Sequence, residues 1–158
     1  MTVPARSPRQ TIERFLKAAV SPTPGDMADC YADRFVIEMP FAEGLAPART
    51  ESTREELRAR VSAGLASRRY TRAADVRIHE TADPEVVVVE YRIEGEKAGD
   101  DEPFSLPFIM VVRVRDGLIT DSRDYSNPIA GARLLGRLPQ LIAMLTDQSQ
   151  AGPGSAGG

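Results

Sequence analysis

Of the 23 Asp and Glu residues, four tyrosines and one histidine of this chain, a few on short stretches could be set to move a proton in an interior. The first is Thr120-Asp121-Ser122-Arg123-Asp124-Tyr125-Ser126. Strand alternation puts Thr120, Ser122 and Asp124 on one face and Asp121, Arg123 and Tyr125 on the other. If the first face looks into an apolar interior, Asp124 is a carboxyl deprived of solvent. Desolvation then raises its pKa and keeps it partly protonated near neutral pH, as a general acid requires. If its carboxylate instead bonds Ser126 or the cap region at Asn127, its role is structural. Glu90-Tyr91-Arg92 places Glu90 and Arg92 on a shared face. They could join Asp124 in a triad, or form a cross-strand ion pair on a solvent or dimer face. Tyr31 offers a hydroxyl that could donate to an oxyanion from the end of a short helix. The alternative for Tyr31 is a core aromatic with its hydroxyl at the rim.

Other polar candidates read more plainly. His79 shares a polar strand face with Arg77, and Cys30 reads as a small buried hydrophobe. Glu38 points away from the face that carries Met39. With one cysteine and one histidine, an intramolecular disulfide and a Cys/His zinc site are excluded. No Walker loop, Gly-x-Gly-x-x-Gly or Gly-x-Ser-x-Gly occurs. No cofactor is expected. A net charge of -3 gives no footprint for nucleic acid or an anionic membrane. No run of apolar residues is long enough to span a bilayer. The first eight residues lack the apolar region of a signal peptide, so the expected location is cytoplasmic.

These residues need elements to position them. A chain of 158 residues predicts one domain, here 9–147, between a flexible segment 1–8 and a disordered Gly-rich tail 148–158. Ser7-Pro8-Arg9-Gln10 starts a helix with a capping box, and Ile12, Phe15, Leu16 and Ala19 form its apolar face. A second short helix is expected over 26–32, with Met27, Cys30 and Tyr31 inward. Phe35, Ile37, Met39 and Phe41 alternate as one face of a strand. Ser52 and Thr53 with Glu55 and Glu56 begin a third helix running to about Ala66. Four antiparallel strands follow: around 76–79, 86–94, 104–114 and 118–126. Asp116-Gly117 predicts a type I′ turn between the last two. Asn127-Pro128 starts a last helix that Gly136 and Pro139 interrupt. The predicted class is α+β: a curved antiparallel sheet, three N-terminal helices and a C-terminal helix around an apolar cavity.

The segment 31–42, Tyr-Ala-Asp-Arg-Phe-Val-Ile-Glu-Met-Pro-Phe-Ala, resembles the first-strand signature of SnoaL-like proteins. These belong to the nuclear-transport-factor-2-like superfamily, with the ketosteroid isomerases. Arg115-Asp116-Gly117-Leu118-Ile119, Arg123-Asp124-Tyr125 and Asn127-Pro128 resemble its closing hairpin. Residues 76–84 look like the phenazine-biosynthesis A/B-type branch. The resemblance implies a cone-shaped α+β barrel with a hydrophobic interior. It also implies a homodimer paired through the outer face of the sheet. Ketosteroid isomerases carry their base just before a proline on the first strand; here that residue is Met39. Limonene-epoxide hydrolases have an aspartate in the Arg-Asp-Tyr context, which maps onto Asp124. Their Arg-x-Asp pair is replaced by Glu90-Tyr91-Arg92. The phenazine branch has a histidine on the third helix; here there is none, and Arg60 lies nearby. Phe35, Ile37, Met39, Phe41, Phe104, Leu106, Phe108 and Met110 are expected to line core and cavity under the first helix, with Ser122 beside Asp124. The expected function is a cofactor-independent acid/base enzyme that cyclises, isomerises or opens an epoxide of a mostly apolar small molecule. The alternative is a non-catalytic ligand-binding or dimerising protein of the same fold. Neither expectation includes nucleic acid or a membrane as partner.

Overall fold

The computed structural model describes residues 4–150; residues 1–3 and 151–158, parts of the expected flexible ends, lie outside them. Helix α1 spans Pro8–Ala19 and buries Ile12, Phe15, Leu16 and Ala19, the face the periodicity marks. Ser7 and Gln10 form the reciprocal capping box. The expected second helix is a 3-10 helix, Pro24–Cys30. Pro22, Pro24 and Gly25 crowd its start, which leaves too few residues and donors for α-helical turns. Tyr31 therefore opens strand β1, Tyr31–Glu38, rather than ending a helix.

Pro40 ends that strand and starts a 3-10 turn, Pro40–Ala42. The turn swings Phe41 out of register: it is 64% exposed, edge-on to Tyr125 with ring centroids 5.2 Å apart. Strand β2, Arg49–Thr53, follows. Its five residues, Arg-Thr-Glu-Ser-Thr, carry no apolar alternation, so period gave no sign of it. Helix α2, Arg54–Gly64, is capped reciprocally by Thr53 and Glu56. Strand β3, Arg68–Glu80, starts well before the expected 76–79 and takes in Arg68, Arg69 and Arg72. There Arg69 pairs with Glu96 at 2.6 Å and Arg72 with Glu94 at 3.5 Å.

Strands β4, Val86–Lys97, β5, Pro103–Arg115, and β6, Leu118–Ser126, complete an open, curved sheet in the order β2-β1-β6-β5-β4-β3. Asp116 and Gly117, both at positive φ, make the tight turn between β5 and β6. Segment 4–6 lies along that turn, against Asp116, Gly117 and Leu118. All pairings are antiparallel except β1 with β6, which is parallel. The whole chain between them serves as the crossover that parallel pairing needs. After Asn127 caps helix α3, Pro128–Leu134, a positive φ at Gly136 breaks the chain into helix α4, Leu138–Gln150. Helix thus continues past the expected boundary at residue 147. The C-terminal helix is two helices, and the N-terminal three are two plus a 3-10 helix. The core joins α1 to the inner faces of β4, β5 and β6 through Val87, Val89, Met110, Val112 and Ile119. Among the described residues, no helix is long and apolar enough to cross a membrane.

Candidate active site

A cavity of about 340 Å³ opens between α1, α2 and the inner face of the sheet. Its walls are mostly apolar: Phe15 and Ala19 from α1, Met27, Leu57 from α2, Ile37 and Met39, Ile93 from β4, and Phe108 and Met110 from β5. Six of the described lining residues give it polar character: Tyr31, Thr50, Arg60, Tyr70, Tyr91 and Asp124.

Asp124 reaches the cavity because β6 pairs with β5 in a register that sets it opposite Met110, an inward residue. Ser122, two residues earlier on the same face, is buried and its hydroxyl donates to Asp124 Oδ1. The Asn127 side chain is engaged elsewhere, accepting from the Ile129 and Ala130 amides. Asp124 is thus held by its strand neighbour rather than by the following cap. Burial pushes its pKa up from 3.8 to about 6; the Ser122 hydrogen bond and the Arg60 charge oppose that rise without cancelling it. A carboxyl with this pKa exchanges protons readily near neutrality, which is what general acid–base work demands.

Two phenols sit within reach of that charge. Burial, with Asp124 as the next cause, raises the Tyr31 hydroxyl well above 10, and Tyr91 is raised for the same two reasons. Both therefore stay protonated and act as hydrogen-bond donors. Tyr91 donates to the Met110 sulfur at 3.4 Å, a weak acceptor that a substrate oxygen could displace. Tyr31 packs between Phe15 and Phe35, with ring centroids at 6.1 and 4.5 Å. The helix that carries Leu57 and Arg60 is fastened on both sides. Arg54 Nε donates to the Tyr31 carbonyl at 3.0 Å, and Arg58 pairs with Asp29 at 2.5 Å.

Several expected residues lie elsewhere. Glu90 and Arg92 point to the outer face, so they cannot complete a triad with Asp124. Glu90 pairs with His79 at 2.7 Å and Arg92 donates to Ser105 at 3.0 Å. The inward position between them belongs to Tyr91, which stacks on Phe108 at 5.6 Å. Phe35 is buried behind Tyr31 and does not line the cavity, and Ser122 supports Asp124 from below its wall. Phe41 belongs to a separate outer cleft with Ile109, Tyr125 and Pro128. Ile37, Met39, Phe108 and Met110 do line the cavity. Tyr91, Tyr70, Thr50 and Leu57 are further cavity residues that the sequence reading missed. For Tyr91 the signal was present: once Glu90 and Arg92 are taken as the polar face, Tyr91 and Ile93 must face in. Thr50, on the short polar β2, carried none.

The sequence profile of the SnoaL-like domain matches residues 12–122. An uncharacterised PhzA/B-like protein of Pseudomonas aeruginosa is 35% identical over 65 residues, 41% of this chain and 46% of that one. The chain therefore matches less than half of that relative's length. Among solved structures, a phenazine biosynthesis-related protein of Pseudomonas aeruginosa superposes with a TM-score of 0.67 at 15% identity. That match covers 82% of this chain and 80% of the other. An LEH-like epoxide hydrolase of M. tuberculosis gives a TM-score of 0.57 at 20% identity, over 89% and 96% of the two chains. At such identities the likeness is one of fold.

Proposed function

The chain belongs to the SnoaL-like domain family, and on that footing we propose that it is a cofactor-independent acid/base enzyme acting on a mostly apolar small molecule. The carrying observation is Asp124, a carboxyl with a pKa of about 6 in the wall of an apolar cavity. In its ionised form Asp124 takes a proton from carbon beside a carbonyl; the Tyr91 and Tyr31 hydroxyls donate to the oxygen that gains charge. The same carboxylic acid then returns the proton at a second carbon or at the oxygen. That sequence isomerises a double bond or, when the carbanion attacks a second carbonyl, closes a ring. Solved neighbours of this fold include proteins named as polyketide cyclases and an epoxide hydrolase. Epoxide opening receives less support here, because Glu90 and Arg92 leave Asp124 without carboxylate or guanidinium partners from β4.

The test is α-proton exchange in a panel of small apolar ketones, followed by NMR in deuterated buffer. Wild type should accelerate exchange, with activity rising through pH 6 as Asp124 ionises. Asp124→Asn should lower the rate by about 10²–10⁴. Equal rates for the two proteins would overturn the assignment. A second reading, a binding protein without chemistry, draws support from Met39, a side chain that cannot accept a proton yet lines the cavity. It predicts that Asp124→Asn leaves ligand affinity intact and that neither protein accelerates exchange.

A further inference from the structure

Resting on that acid–base reading, we infer that the cavity selects a substrate bearing a carboxylate on an otherwise apolar body, and that Arg60 is the residue that recognises it. Among the described residues that line the cavity, Arg60 is the one cation. Three other arginines on or just after α2 are occupied. Arg54 donates to the Tyr31 carbonyl and pairs with Asp33 at 3.1 Å. Arg58 is taken by Asp29 and Asp26. Arg68 donates to the Tyr70 hydroxyl at 2.9 Å and lies 5.5 Å from that ring's centroid. Arg60 alone of this group has no hydrogen bond or ion pair to any described residue. It stands three residues after the buried Leu57, on the side of α2 that borders the cavity, and is exposed at the rim.

A guanidinium held unpaired over an apolar hollow has five donors in a planar fork, which a carboxylate matches with two parallel hydrogen bonds. The arrangement also orders the ligand. Its charged end stays at the rim, where water helps solvate it, and its apolar body fills the space between Phe15, Met39 and Phe108. The far end then meets Asp124. A phosphate dianion would call for a second cation, and the described lining residues supply none. The Arg60 charge also favours the ionised form of both Asp124 and Tyr31, so it acts across the cavity without being consumed by an ion pair there.

The experiment compares binding of 2-naphthoate, its methyl ester and 2-naphthylmethylammonium by calorimetry, in wild type, Arg60→Gln and Arg60→Lys. In wild type the carboxylate should bind about ten-fold more tightly than the ester, the usual gain from a charge-assisted bond. The ammonium should bind most weakly. Arg60→Gln should abolish the preference, bringing acid and ester to equal affinity, and Arg60→Lys should keep part of it. Because Arg60 is exposed, neither substitution disturbs the packing of α2. Equal affinity for acid and ester in wild type, or a preference that survives Arg60→Gln, would overturn the inference and leave the acid–base reading standing. Failure of every probe to bind would overturn the apolar cavity on which both rest.

Discussion

Asp124 ties the stability of the fold to pH in an unusual direction for a carboxylate. In the unfolded chain it loses its proton near its ordinary value of 3.8, whereas in the fold it holds the proton to about 6. Between those values the native state binds more protons than the unfolded one, so this residue's contribution falls as pH rises and levels off above about 6.5. Two units of difference correspond to about 3 kcal/mol. Asn at position 124 still accepts from Ser122 but does not titrate. The stability of Asp124→Asn relative to wild type should therefore rise by up to about 3 kcal/mol between pH 4 and pH 7. Urea denaturation of both proteins at the two pH values measures it. A pH-independent difference would mean that Asp124 carries no desolvated charge.

Among the elements, β4 and its neighbours shape the cavity rim through one close approach. Gly95 lies opposite Tyr70 on β3 and Phe104 on β5. A Cβ there would stand 2.3 Å from the Arg69 carbonyl and 2.6 Å from the Phe104 ring. The Phe104 ring lies over the bare backbone and supports Tyr70 edge-on at 6.0 Å, and Tyr70 lines the cavity. Gly95→Ala should cost about 1–3 kcal/mol by overpacking. Gly131 in α3 gives the contrast, since a Cβ there meets nothing within 4 Å. Gly131→Ala should leave the melting temperature unchanged or raise it. Thermal melts of the two variants side by side separate a local steric effect from a general intolerance of alanine.

For the whole molecule, the outer face of the sheet is the surface to explain. Val86, Val88 and Val111 are half-buried there and Ile109 is 42% exposed. Arg113, Arg123, Glu38 and Asp121 border them. We propose that two chains pair isologously across this face, which buries the apolar centre inside a charged rim. Light scattering at micromolar concentration should give about twice the chain mass of 17.2 kDa. Val88→Arg should return the mass to that of one chain, because two like charges would meet near the dyad. A wild-type mass of one chain would rule the arrangement out.

Much of this architecture is written in local pattern. The apolar stripe of α1, both capping boxes, the Asp116-Gly117 turn and the period-2 run of β5 are decided by neighbours within a few residues. Short-range sterics and hydrogen bonding suffice to specify them. The face shared by Ser122 and Asp124 is legible for the same reason, since alternation along a strand is local. Which of two faces becomes the interior is not local. At residues 86–89 four valines make both faces of β4 equally apolar, so only the pairing of β4 with β5 sets Tyr91 inward and sends Glu90 and Arg92 out. Pro40 removes Phe41 from the wall while Met39 stays. The parallel pairing of β1 with β6 closes contacts between residues more than 80 positions apart, a separation over which no periodicity carries information. The pKa of Asp124 is likewise a property of the enclosure. The chain supplies the carboxyl, and only the packing of α1 and α2 over the sheet withdraws the water that would have kept it ordinary.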